Sequence, residues 1–160
     1  MSRFLEFVDW MEGSALSVGL RSSEWVYPLV NMLHILGIGL LVGSILILDW
    51  RLLRHRRSPE VSVLATVLLP AARAGFALAV AAGLLLLISR PLDYVFNTLF
   101  QFKLASIALA LLNIALLHSS ESWRIAVNQN RPDGRVRLAC GVSLVCWLAA
   151  LALGRLIGYR

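Results

Sequence analysis

His34 stands inside the apolar run Val26–Leu48, and it is the clearest candidate for chemistry in the chain. An ionisable side chain within a lipid-crossing helix is costly and normally faces protein or a polar cavity. At about 100° per residue, Asn31 and Asp49 fall within about 60° of His34 around a helix, and Ile38, Leu41 and Ile45 share that face. Gly39 and Gly43 fall on the opposite side, so the helix is expected to have a polar-dotted face and a separate close-packing face. The chemistry open to His34 is ligation of a metal or a haem iron, or proton relay. The structural alternative is a neutral imidazole bonded to a carbonyl or to Asn31.

His118 is the second candidate, near the far end of another apolar run, Leu104–Leu117. At ~1.5 Å per residue, His34 lies roughly 10 Å and His118 roughly 25 Å from the same membrane face, a ~15 Å difference in depth. Two axial ligands of one iron do not differ so much in depth. His34 is therefore expected to work with a non-histidine ligand, with a vacant position, or with the same residue of a second subunit. His118 alternatively serves as an interfacial side chain beside Ser119 and Ser120.

Other polar residues fall into groups. Lys103, Ser106, Ala110, Asn113 and Ser120 occupy about a 100° sector, a stripe that could line a polar cavity together with Asn31. Lys103 taken alone reads as snorkelling to headgroups, and Asn113 as a bond to a neighbouring helix. Asp49, Arg51 and Arg73 come to a similar depth, which predicts an ion pair of Asp49 with Arg51 or Arg73. His55 belongs to a basic surface cluster. Cys140 and Cys146 lie six apart on one helix, point about 120° apart and cannot bridge each other. A phosphate-binding glycine loop, a serine–histidine–acid set, paired catalytic carboxylates and zinc-type spacing are all missing. A hydrolase or soluble metalloenzyme does not fit, and a stand-alone enzyme is not expected.

Four apolar runs must position these groups: Val26–Leu48, Ala71–Ile88, Leu104–Leu117 and Leu138–Ile157. The chain is 59% hydrophobic and 15% charged, against about 45–50% and about 25% in soluble domains. The excess is concentrated in the runs, not spread as helical stripes, and ~20 apolar residues in a helix span the hydrocarbon. The reading is an all-α integral membrane four-helix bundle, with spans about 27–49, 70–89, 101–119 and 137–157, forming one domain over 26–160. Residues 1–25 precede it. Phe4, Phe7, Val8 and Met11 share one face of residues 2–12, which predicts a short amino-terminal interfacial helix, ended by Gly13. Residues 14–25 read as a connector. These first residues lack the basic start and apolar core of a signal peptide, so the first span is expected to direct insertion. Ser58-Pro59-Glu60 looks like a helix start, and Pro70 is expected to interrupt or kink that helix. Residues 91–100 and 120–136 read as loops, the latter turning at Asn130-Arg131-Pro132-Asp133-Gly134.

The net charge of +6 is not a nucleic-acid signal, because the arginines cluster at the ends of the runs, where anionic lipid headgroups lie. Arg51, Arg54, Arg56 and Arg57 fill the first connection, and Arg124, Arg131, Arg135 and Arg137 the third. The second and the tail are poor in basic residues. This places both termini outside and those two loops in the cytoplasm. Gly39 and Gly43, then Gly75, Ala79 and Gly83, then Gly154 and Gly158, have the spacing of close helix packing, within one chain or in a homo-oligomer. No internal repeat of the inverted-repeat transporter kind is found.

The string Glu24-Trp25-Val26-Tyr27-Pro28-Leu29-Val30-Asn31-Met32-Leu33-His34-Ile35-Leu36-Gly37, with Val42-Gly43-Ser44 and Asp49-Trp50-Arg51-Leu52-Leu53, resembles a family of small uncharacterised bacterial inner-membrane proteins. Pro70, Gly75-Phe76, Gly83 and the Asn97–Lys103 segment fit the same pattern, although Trp50 stands where that pattern has an aliphatic residue. The resemblance covers most of residues 20–120 and implies four spans in a bacterial inner membrane, with no established activity. A looser similarity, resting mainly on His34, runs to copper-resistance membrane proteins and b-type cytochrome membrane subunits. Three functions compete: a redox or metal-handling protein with haem b or copper at His34; a permease module for a small solute or ion, with Asn31, His34 and Asn113 along its route and Asp49 and Arg73 as an inner gate; and a non-catalytic subunit or assembly factor docking a membrane partner.

Overall fold

A computed structural model of the chain describes residues 2–54 and 59–159, with the backbone alone at residues 2, 4, 5 and 7. The elements are α1 (Ser2–Glu12), α2 (Ala15–Ser22), α3 (Val26–Leu53), α4 (Val61–Ser89), α5 (Pro91–Val95), α6 (Thr98–His118), α7 (Glu121–Gln129) and α8 (Gly134–Ile157). No strand occurs among the described residues. The helices α3, α4, α6 and α8 are long and apolar enough to cross a membrane. The chain is thus an all-α, multi-pass membrane protein.

The four spans extend the expected boundaries at most ends. The largest change is at α4, which runs unbroken through Pro70 from Val61 to Ser89. A proline removes one N–H and crowds the preceding turn, but a helix held on both sides by neighbours tolerates it. The expected Ser58 cap lies outside the described residues, as do His55, Arg56, Arg57 and the side chains of Phe4 and Phe7. Both segments read as loops contain short helices, and so does the connector over 14–25. The local signals are caps. Ser14, Ser120 and Asp133 accept from the Ser17, Trp123 and Val136 amides, starting α2, α7 and α8. Asn97 does the same at α6. Asn130 ends α7 in the left-handed region at φ 54°.

Packing is sequential in space as α4–α3–α8–α6. The α3–α4 pair and the α6–α8 pair are the intimate ones, and α3 against α8 joins them. The α4 and α6 backbones do not approach each other. A central cluster of Leu41, Val42, Ile45, Ala72, Ala110, Cys146 and Trp147 draws on all four spans. Both cysteines are free and buried, as their spacing requires.

The closest crossing is between α3 and α4. A Cβ placed on Gly37 would lie 2.6 Å from the Ala79 amide nitrogen, and one on Gly75 would lie 2.5 Å from that of Leu41. Both clashes are with backbone, so neither neighbour can yield by rotating a side chain. Gly39 and Gly43 meet nothing within 4 Å. The close-packing face of α3 is therefore the His34–Gly37–Leu41 face, not the opposite one. Gly83 leaves room for the His34 ring and Gly154 for the Lys103 side chain, while Gly158 touches only its own helix.

The two ends are tied by arginines. At the α2 end, Arg21 donates to the Ser89 carbonyl (3.2 Å), the Glu12 carboxylate (3.2 Å) and the Glu12 carbonyl (2.8 Å). The Ser17 hydroxyl, also buried, donates to the same Ser89 oxygen at 3.4 Å. These donors satisfy a carbonyl that the last turn of α4 leaves open, and the cation suits a helix C-terminus. In α1, Val8 is buried against this end and Trp10 is exposed. At the α7 end, Arg51 donates to the Pro59 carbonyl (2.7 Å) and to Asn130 Oδ1 (2.9 Å), which also takes the Val61 N–H at 3.4 Å.

Gly37→Leu or Gly75→Leu is expected to lower the stability of the detergent-solubilised protein by about 1–3 kcal/mol, whereas Gly39→Ala or Gly43→Ala shifts it by at most about 0.5 kcal/mol. Thermal unfolding of the four variants checks this. A second expectation concerns Asp133, whose carboxyl is held below the usual carboxylate range by the Ser122 hydroxyl (2.7 Å) and the Val136 N–H. A depressed folded-state value stabilises fully above the unfolded value of about 3.9 and is lost as pH falls through the folded one. The stability gap between wild type and Asp133→Ala should therefore be constant near neutral pH and close progressively below about pH 4.

Candidate functional site

His34 is placed by α3 one turn before Gly37, and the glycine crossing brings it against α4. Its Nδ1–H donates to the Ala79 carbonyl at 2.8 Å. A carbonyl can only accept, so this bond assigns the proton to Nδ1 and the lone pair to Nε2. Nε2 has no hydrogen-bond partner among the described residues. The stripe Gly75, Ala79, Gly83 thus has three distinct jobs: the first meets the α3 backbone, the second accepts the imidazole bond, and the third seats the ring.

Lys103 reaches toward this place from α6. Its ammonium lies beside Gly154 and is close enough to His34 for their charges to interact. It makes no ion pair or hydrogen bond among the described residues. Ser106 turns its hydroxyl back to the Phe102 carbonyl at 2.9 Å, and Asn113 donates to the Ala139 carbonyl of α8 at 2.9 Å. Asn31 is exposed on α3. These residues do not converge on one cavity: Asn113 clamps α6 to α8, and Ser106 serves its own helix.

Asp49 differs most from expectation. Its side chain is buried against α8, where the Ser143 hydroxyl and the Cys140 thiol are its polar neighbours, and Oδ2 has no hydrogen-bond partner among the described residues. Neither expected arginine pairs with it. Arg51, two residues on, faces the Pro59–Asn130 turn, and Arg73 is exposed on α4. Spacing along the chain placed these residues at similar depth, but only the helix rotations decide which face each side chain takes.

His118 ends α6 and stacks at a tilt on Trp123, with ring centroids 4.4 Å apart. It lines a shallow pocket of about 340 Å³ with Ser119, Ser120, Glu121, Trp123, Arg124, Val127 and Asn128. Arg73 is its charged neighbour from α4. Arg73 is six residues from Ala79, roughly 9 Å along the helix, so the two histidines serve different levels of the bundle. Among the described residues, no group of three or more His, Cys, Asp or Glu side chains converges as a metal cage would. At the α2 end, burial and the neighbouring Tyr27 and Asp93 hold the Tyr94 phenol above its ordinary range, and Tyr94 packs at a tilt on Phe100.

The carbonyl bond offered from the sequence as the structural alternative for His34 is present, and Asn31 is not its partner; that the carbonyl is Ala79's could not be read, because a backbone carbonyl leaves no mark in composition. Arg21 and Asn130 were also missed as tie points. The signals that could have found Asn130 are its tolerance of the left-handed region and its place just before an Arg-Pro pair.

Comparison with protein-family models, with curated proteins and with solved structures finds no match to this chain. Fold and composition define its class, a four-span helical membrane protein.

Because Asp49 has no ionic partner, Asp49→Asn should lower stability by less than about 1 kcal/mol. Arg51→Met, which strips the Pro59 carbonyl of its donor and Asn130 Oδ1 of the shorter of its two, should lower it by about 1.5–3 kcal/mol. Parallel denaturation of the two variants in detergent reads the difference.

Proposed function

We propose that this protein is a membrane redox or metal-handling subunit in which His34 offers Nε2 to a haem b iron, with copper as the other candidate. The observation that carries the reading is the Nδ1–H bond to the Ala79 carbonyl at 2.8 Å. Metal-bound histidines commonly donate their second ring nitrogen to a carbonyl or carboxylate, which orients the ring and directs the lone pair at the metal. The residues present fit one protein ligand per chain. A further protein ligand, if the group takes one, would be the His34 of another copy. Lys103 favours haem over a bare copper ion: an ammonium beside the site opposes a small cation but suits the haem propionates. Bound haem would supply one-electron transfer, while His34 would hold it and Lys103 would pair with its carboxylates.

The resemblance to small bacterial inner-membrane proteins, and the arginine-rich first and third connections, support an inner-membrane location with both termini on the periplasmic side. The permease reading loses support from the bond of Asn113 to Ala139, which closes that position rather than lining a route. The reading as a non-catalytic subunit or assembly factor is favoured by one feature: α6 is by far the least covered of the spans and leaves a helix face for a membrane partner.

An absorption spectrum with elemental analysis of the detergent-purified protein tests the proposal. The expected result is a Soret band with about one haem iron per one or two chains, lost in His34→Ala and weakened in Lys103→Gln. A colourless, metal-free protein after expression with haem precursor and copper supplied would overturn it.

A further inference from the structure

The α7 end of the bundle holds a second arrangement, apart from His34. The backbones of α4 and α6 stay apart, and α7 packs across to both of them. The two spans thus flank a seam, a groove between backbones that α7 bridges at one end. Phe76 of α4 and Ile107 and Ile114 of α6 are half-buried against the central cluster along it. Arg73 precedes Phe76 by one turn of α4, and His118 follows Ile114 by one turn of α6, so the guanidinium and the imidazole border the sides of their helices that meet the cluster.

Arg73 is the unusual member. It lies within the apolar run of a spanning helix and is exposed, with no hydrogen bond or ion pair among the described residues. A guanidinium in that setting needs a counter-charge from outside the chain, since it cannot shed its proton. His118 lies within electrostatic reach of it and opens on the shallow pocket at the α6–α7 junction. Ser119 and Ser120 add hydroxyls to that pocket, and Trp123 adds an aromatic wall. The one carboxylate there, Glu121, is already bound to Arg124 at 2.7 Å, so it does not neutralise Arg73.

From this juxtaposition we infer that the groove between α4 and α6 is a binding site for one membrane phospholipid, its phosphate held between Arg73 and His118. The acyl chains lie along the Phe76, Ile107 and Ile114 side of the groove. The headgroup sits at the pocket, at the level where Trp123 matches the membrane–water boundary. A guanidinium binds phosphate oxygens in a two-pronged geometry, which gives the headgroup a fixed position rather than general attraction to an anionic surface. The phosphate supplies the counter-charge that no described residue gives Arg73.

Native mass spectrometry of the delipidated full chain in mild detergent tests this, with phosphatidylglycerol, diacylglycerol and inorganic phosphate as separate probes. One phosphatidylglycerol is expected to bind tightly, and diacylglycerol, which lacks the phosphate, at least about tenfold more weakly. Arg73→Gln should weaken phosphatidylglycerol by about tenfold and His118→Gln by less, while Arg155→Gln at the other end leaves it unchanged. Equal binding of phosphatidylglycerol and diacylglycerol to the wild type would overturn the inference without any variant. So would displacement of the lipid by inorganic phosphate, or wild-type lipid retention in a folded Arg73→Gln.

Discussion

The approach of α3 to α4 at Gly37 and Gly75 is the constraint on which the rest of the structure depends. In lipid, helices gain nothing by hiding apolar surface from one another, so close packing and interhelical hydrogen bonds must hold them together. Here the backbones come so near that a methyl group on either glycine would strike a main-chain nitrogen. That approach brings His34, one turn away, within reach of the Ala79 carbonyl, one turn beyond Gly75. Were α4 to stand further off, the imidazole would lose its acceptor and its tautomer would be undetermined. The candidate site is thus a by-product of backbone contact, not of a dedicated polar cavity.

The remaining polar groups share one pattern. Asn113 is used across the α6–α8 contact, Asp49 faces Ser143 and Cys140 across α3–α8, and Arg21 and Arg51 satisfy carbonyls where the chain turns at either end. Apart from Arg51 to Pro59, which closes a local turn, these contacts join elements that are distant in sequence. Lys103 and Arg73 break this pattern, since each carries a charge within an apolar span without a hydrogen bond or ion pair among the described residues. Each lies near a histidine, Lys103 near His34 and Arg73 near His118.

Legibility in the sequence tracked the strength of the periodic signal. The spans can be read from apolar runs alone, since ~20 such residues admit no other arrangement in lipid. The depth argument that separates His34 from His118 needed only rise per residue. Helix rotation was read less well. The wheel put His34 and Asp49 on one polar face and assigned close packing to Gly39 and Gly43. In the structure Gly37, nearer to His34 around the helix, makes the contact. Several glycines on one helix all permit close approach, and the partner helix decides which of them is used. The short helices α2, α5 and α7 were read as connecting segments, because single-turn caps weigh little against polar composition.

What the amino-acid sequence determined by itself was the number of spans, their approximate places in the chain and the presence of an imidazole inside the first, because hydropathy and helical rise are local properties. The tertiary structure alone decided which neighbour each polar side chain meets. His34 took a carbonyl and Asp49 a hydroxyl and a thiol, while Arg73 was left facing outward. Those choices depend on how each helix is turned about its axis, and that turn is set by the close-packed contact between backbones rather than by any residue acting alone.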